Sequence, residues 1–210
     1  MRFILMIDLK TILTTGIVMI SVIIYLLFFY PSKESTTTDL DNEDGYKITP
    51  EYAMKLTGNE LIPVEYISTN DGDTFRVKVN GKVKRVRLLM IDTPEMNYEE
   101  QNPMPYAEEA KEFTSTLLEN ASKIEILFDI GDETDHYGRL LSYVFVDGVL
   151  LQEALIKEGY AGVRFIYEPN NTLEEDLKEI QLVAENKKIN IWENENYLQK
   201  DGYHPEIIQQ

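Results

Sequence analysis

Hydrophobic and polar positions divide the chain into three textures. Residues 12–30 carry no charge and are mostly apolar. Their 19 positions come close to the roughly 20 that a helix needs to cross a hydrocarbon core. Tyr25, Phe28, Phe29 and Tyr30 crowd the far end, where an aromatic belt is expected. Residues 31–61 form the second texture. The part up to Gly45 is rich in Ser, Thr, Asp, Asn and Glu, with Leu40 its only aliphatic residue, and predicts a solvated linker. Thr49-Pro50-Glu51 then supplies an N-cap, a first-turn proline and an acid suited to a helix start, so a short helix is expected over residues 50–56.

From Ile62 onward short apolar runs alternate with turn signals. They predict strands at residues 64–68, 74–79, 82–91, 123–128 and 140–146. Asn80-Gly81 is a two-residue hairpin signal of the type I′ kind. Ala110, Phe113, Leu117 and Ala121 recur at helical spacing over residues 106–121. A second helix is expected over residues 150–158 and is stopped by Gly159. Thr172 to Glu175 matches a capping box, with Leu173, Leu177, Ile180 and Ala184 as the inner stripe of a third. After Trp192 the chain turns polar and is expected to fray.

The expected class is therefore α+β: a five-stranded OB-type β-barrel with three helices, preceded by one N-terminal transmembrane helix. The expected division is 1–30 membrane anchor or signal segment, 31–61 polar linker, 62–192 folded domain and 193–210 polar tail. Arg2 and Lys10 precede the apolar run, while Asp39, Asp41, Glu43 and Asp44 follow it, which orients the C-terminal domain outside the cell. A cleaved signal peptide is the rival reading, but the run is long for one and no Ala-x-Ala-like site follows. Retained, the segment makes a single-pass protein of the cell membrane. Cleaved, it leaves a secreted one.

Composition narrows the chemistry. With no cysteine, neither disulfides nor thiolate metal sites are available. A net charge of -17 argues against a passive, charge-driven DNA binder. The folded part alone, residues 62–192, holds 14 Lys and Arg against 25 Asp and Glu. Carboxylates are, however, what Ca²⁺ takes as ligands.

Two stretches concentrate acid at strand ends. Asp71-Gly72-Asp73-Thr74 precedes the second strand, and Asp92-Thr93-Pro94-Glu95 closes the third. Each alone is an ordinary turn signal. Together Asp73, Asp92 and Glu95 supply three carboxylates on one meander, more than turns require. Arg87 opens the same apolar run, and Arg139 follows Asp135-His136-Tyr137-Gly138. Two guanidiniums near a divalent cation suit a phosphodiester as negative charge builds on its oxygens.

These motifs resemble those of the staphylococcal nuclease, or thermonuclease, family. The resemblance runs from about Val64 to Trp192 through Asp71–Thr74, Arg87–Glu95, Asp135–Arg139, Tyr167-Glu168-Pro169-Asn170-Asn171 and Asn190-Ile191-Trp192. It implies an OB-type barrel with three helices and Ca²⁺-dependent endonucleolytic hydrolysis of DNA and RNA to 3′-phosphate products. It further implies that Asp73 and Asp92 bind Ca²⁺ by carboxylate and Thr93 by its backbone carbonyl. Glu95 would hold or deprotonate water, and Arg87 and Arg139 would stabilise the transition state. Tyr137 and Tyr167 would line the nucleotide pocket, and Glu168-Pro169 matches a bond that can be cis.

This chain departs from the family pattern at His136, where Lys or Arg is usual, at Phe165, where some members have Tyr, and at Glu99 and Glu100, where relatives carry lysines. The basic cluster Arg76, Lys78, Lys82, Lys84 and Arg85 is expected to be a solvated hairpin face rather than a phosphate track. Partners expected are DNA and RNA and, through the N-terminal segment, a membrane. No protein partner is predictable. A non-catalytic nucleic-acid or protein-binding module on the same fold is the competing reading, as is an acidic membrane protein that meets a protein partner.

Overall fold

The computed structural model describes residues 45–99 and 102–208. The expected membrane segment lies outside them. Among the described residues no helix is long and apolar enough to cross a membrane. In chain order the strands are β1 (Ile62–Pro63), β2 (Glu65–Asp71), β3 (Thr74–Val79), β4 (Lys82–Leu88), β5 (Ile91–Asp92), β6 (Ile124–Leu127), β7 (Leu140–Val146), β8 (Val149–Leu150), β9 (Gly162–Val163), β10 (Leu198–Gln199) and β11 (Gly202–Tyr203). The helices are α1 (Pro50–Thr57), α2 (Ala107–Asn120), α3 (Leu151–Lys157) and α4 (Glu174–Lys187).

The main sheet runs β1-β6-β7-β4-β3-β2, with β8 added on β7. Its two ends are β1 and β2, which follow each other along the chain with only Val64 between them. One extended segment, residues 62–71, thus pairs with β6 at one end and β3 at the other. That closes the sheet into the five-stranded OB-type barrel the strand pattern predicts. Pairing is antiparallel except between β4 and β7, which run parallel.

Period-two burial explains the wall. In β3, Phe75 and Val77 are fully buried while Arg76 and Lys78 face water. Truncating Phe75 to Ala would cost about 3–5 kcal/mol through the cavity left behind. Asn80 and Gly81 both take positive φ, 49° and 76°, as a type I′ turn demands. Helix α3 buries every residue from Leu151 to Ile156. It packs against both β7 and α4.

Four expectations need correction. The apolar run to Ile91 is not one strand: β4 ends at Leu88, Met90 turns with φ 59°, and Ile91–Asp92 pairs with β9 instead. Leu88, Leu89, Met90 and Ile91 are all buried, so their pattern carries no trace of the kink. The linker does not extend to residue 61. Ile48 and Ala53 are core residues, and α1 starts at Pro50 with the Thr49 hydroxyl accepting from the Tyr52 amide at 3.2 Å. The predicted capping box does not form. Leu173 caps α4, and the Thr172 hydroxyl donates to Asp129 instead. The tail, expected to fray, folds as the β10–β11 hairpin with Tyr197 fully buried.

Candidate active site

The turn between β2 and β3 presents Asp71 and Asp73. Gly72 sits between them because a Cβ there would lie 2.8 Å from the Thr93 hydroxyl and 2.9 Å from the Ala110 Cβ. The turn is tied down by the Thr114 hydroxyl, which donates to the Gly72 carbonyl at 2.6 Å. Asp73 then accepts from the Thr74 hydroxyl at 3.0 Å and from the Thr93 amide at 3.1 Å, which joins the two acidic stretches.

The kink at Met90 swings Asp92 behind this turn. Arg87 lies between the acids, its Nη1 2.6 Å from Asp73 Oδ2 and its Nη2 3.4 Å from Asp92 Oδ1. Arg164 approaches the other oxygen of Asp92, with Nε at 3.4 Å. Tyr203 of the tail hairpin donates its hydroxyl to the Asp92 carbonyl at 2.7 Å. Burial, then the charge of Asp73, pushes the Asp92 carboxyl up to about 7 despite Arg87 and Arg164. Asp71 rises further, to about 8, through burial, a side-chain hydrogen bond with Glu95 and the charges of Asp73 and Glu95. Glu95 is itself exposed, and the Met104 amide fixes its carbonyl at 3.0 Å.

The opposite wall is the turn from Asp135 to Arg139. Gly138 takes φ 72°, and the Asp135 carboxylate accepts from the amides of Tyr137 and Arg139 and from Arg139 Nε at 2.7 Å. Partial burial opposes ionisation of Asp135, but these bonds and the Arg139 charge outweigh it and lower its pKa. Beside this turn the 165–172 segment is pinned from below. Asp129 accepts from the Tyr143 hydroxyl at 2.6 Å and the Thr172 amide at 3.0 Å. Asn170 accepts from the Gly131 amide and donates to the Asp132 carbonyl. The Glu168-Pro169 bond is cis.

Two clefts meet here. The larger, about 620 Å³, has Arg87, Glu95, Asp135, Arg139, Phe165 and Tyr167 in its walls. The smaller, about 220 Å³, is walled by Asn70, Asp71, Asp73 and Arg85 among others. Arg87, Glu95 and Arg139 line both. The three residues expected to be catalytic therefore stand at the junction.

The expected metal set is split. Asp73 faces the small cleft, whereas Asp92 and Thr93 are buried behind it and line neither cleft. Tyr167 stands in the wall with 69% of its surface exposed. Tyr137 does not line a cleft. It sits at the rim with its ring 5.4 Å from the Arg139 guanidinium, and its neighbour His136 faces the cleft instead. Arg85, expected on a solvated face, reaches the small cleft and donates to the Tyr137 carbonyl at 3.3 Å.

Sequence reasoning passed over Asn70 and Arg164. The only signal for Arg164 was a cation set between apolar Val163 and Phe165.

Among the described residues no three acidic or histidine side chains converge as a preformed metal cage. The local chemistry nevertheless fits a hard divalent cation. The donors are all oxygens, and the Asn70 Oδ1 is buried without a hydrogen-bond partner beside the carboxylates. Burial, with the neighbouring Glu95 and Asp73, raises the Asp71 pKa to about 8 and so favours a proton there that a cation would displace.

A family model described as staphylococcal nuclease homologue matches residues 85–194. The SPbeta prophage-derived endonuclease YokF of Bacillus subtilis (strain 168) is 42% identical over 144 residues, 69% of this chain and 48% of that protein. The chain thus spans about half the length of that relative. Endonuclease YncB of the same organism is 40% identical over 144 residues, 69% of this chain and 68% of that one. The thermonuclease of Staphylococcus hyicus is 39% identical over 124 residues, 59% of this chain and 72% of the relative.

Proposed function

The chain belongs to the staphylococcal nuclease family, and from that premise we propose that it is a Ca²⁺-dependent endonuclease. Its substrates are DNA and RNA, cut to 3′-phosphate products. The observation that carries the reading is the junction of the two clefts, where Arg87, Glu95 and Arg139 meet beside Asp71 and Asp73. Two guanidiniums beside an oxygen-rich pocket suit a phosphodiester on a cation, which uses both.

In this reading a phosphate seated at the junction receives the planar donors of Arg87 and Arg139 on its non-bridging oxygens. Asp135 holds Arg139 in aim. Glu95, exposed and at the junction, holds the attacking water and takes its proton as far as its basicity allows. Tyr167 offers a ring face to the base. Asp73 from the wall of the small cleft, with Asp92 and the Thr93 carbonyl once turned toward it from behind, would hold Ca²⁺, which when bound supplies positive charge at the phosphoryl oxygens.

Residues 12–30 would retain the domain on the outer face of the cell membrane, or release it if they are cleaved. Digestion of plasmid DNA and of RNA by residues 46–210 tests the activity, with Ca²⁺ and then with chelator. Chelator-sensitive cleavage is expected, and its absence would sink the proposal.

A further inference from the structure

Behind the catalytic cleft lies a second groove of about 690 Å³. One wall is the 163–167 segment, and the others are Trp192 and the tail hairpin at Leu198, Gln199 and Lys200. We infer that this groove is a further subsite for single-stranded nucleic acid, receiving nucleotides that continue the substrate strand beyond the cleaved bond. The inference rests on the nuclease reading above for what occupies the first cleft.

Continuity comes first. Phe165 and Tyr167 belong to the walls of both cavities, so a strand leaving the first passes directly into the second. These two rings form an exposed ridge, 47% and 69% open to water. Phe165 holds that position with φ 54°, a left-handed conformation costly for a bulky side chain, with its ring 47% open to water and the Arg87 and Arg164 guanidiniums 5.5 and 5.3 Å from its centre. Strain of that kind, joined to an exposed aromatic, is a mark of a binding surface.

Charge agrees. In a chain of net charge -17, this groove offers Arg164 and Lys200 against Glu185. The Lys200 ammonium has no hydrogen bond or ion pair among the described residues. Arg164 is spent on Asp92 and the Gln199 carbonyl, so Lys200 is the cation left for a phosphate. Trp192 adds an indole N–H that is shielded from water and has no acceptor. Aromatic faces alternating with a free cation are what sequence-tolerant binding of single strands uses.

Trp192 is the chain's single tryptophan, so its emission reports on this groove alone. With chelator present to stop cleavage, the full chain is titrated with a thymidine dinucleotide and with an oligothymidylate of about eight nucleotides. The longer strand should change Trp192 emission and bind about tenfold tighter, the gain from stacking one or two more bases. Lys200→Glu should reduce that advantage roughly fivefold and leave dinucleotide binding and cleavage unchanged.

Equal affinity for both lengths, or emission that stays constant as the longer strand binds, would overturn the inference. Cleavage with Ca²⁺ is scored separately. A chain that cuts neither strand refutes the nuclease reading, while length-dependent Trp192 quenching in chelator would still uphold the groove as a binding site.

Discussion

Arg87 and Arg139 face the same cleft but are held by opposite means. Arg87 is 12% exposed at its side chain and wedged between Asp73 and Asp92, the two acids proposed as Ca²⁺ ligands. Arg139 is 26% exposed and is held by Asp135 and the Tyr137 ring, within a turn closed by its own backbone hydrogen bonds. One arginine is placed by the acidic pocket and must respond to whatever enters it. The other is placed by a rigid turn and does not. In the proposed reading, a site built this way would couple half of its phosphate grip to the metal and leave the other half preformed.

The largest expected effect tests the residue between them. Glu95→Gln should lower kcat by roughly 10²–10⁴-fold with the melting temperature unchanged, and near-wild-type turnover would remove Glu95 from its role. Arg139→Lys keeps the charge but loses the planar fork, and should cost roughly 10²–10³-fold.

Stability separates the two arginines next. In chelator, Arg87→Met leaves the buried Asp73 without its ion-pair partner and should cost about 3 kcal/mol in denaturant melts. Arg139→Met, at a more open pair, should cost about 1 kcal/mol or less. Equal losses would break the comparison.

Acidity gives a smaller signature. Asp71 and Asp92 keep their protons to about 8 and about 7 in the fold, whereas the unfolded chain releases them near 3.8. The unfolded state therefore binds fewer protons between those values, and metal-free stability falls as pH rises from about 4 to about 8. Ca²⁺ should raise the melting temperature more at the alkaline end, and a flat metal-free profile would contradict the crowding. Asp135 has the opposite sign: its lowered pKa adds stability above 3.8 that is lost on acidification below that value.

The smallest effect concerns ionic strength. Substrate affinity should decline with salt less steeply than in a basic relative, because few cations meet the strand. A steep slope in binding titrations would restore the hairpin lysines as a phosphate track.

Much of the barrel was legible because its signals are local. Alternation in β3, the Asn80-Gly81 turn and the Gly159 stop each act within a few residues. The motifs likewise named Asp73, Arg87, Glu95 and Arg139, since acid and arginine at strand ends stand out against an apolar background. What escaped depends on long-range partners. A fully buried run such as Leu88 to Ile91 looks the same straight or kinked, so the pairing of Ile91–Asp92 with β9 left no mark. The tail hid for a related reason. Tyr197 and Tyr203 pair a packed ring with a hydroxyl donor to Pro105 and Asp92, and a polar composition masks both. Asp201-Gly202 beside Leu198 was the one hairpin cue available.

Ile48 is tied down at the very start of the described chain. The fully buried Glu153 carboxylate takes the amides of Lys47 and Ile48 at 2.8 and 3.0 Å. One turn further along α3, Lys157 donates to the Gly45 carbonyl and lies 4.2 Å from the centre of the Tyr46 ring. A pull arriving from upstream is therefore taken up at α3, before it can tug on the 62–71 segment that closes the barrel and carries Asp71. Cable makers call such a clamp a strain relief: the cord may be jerked, and the contacts inside the plug stay where they were.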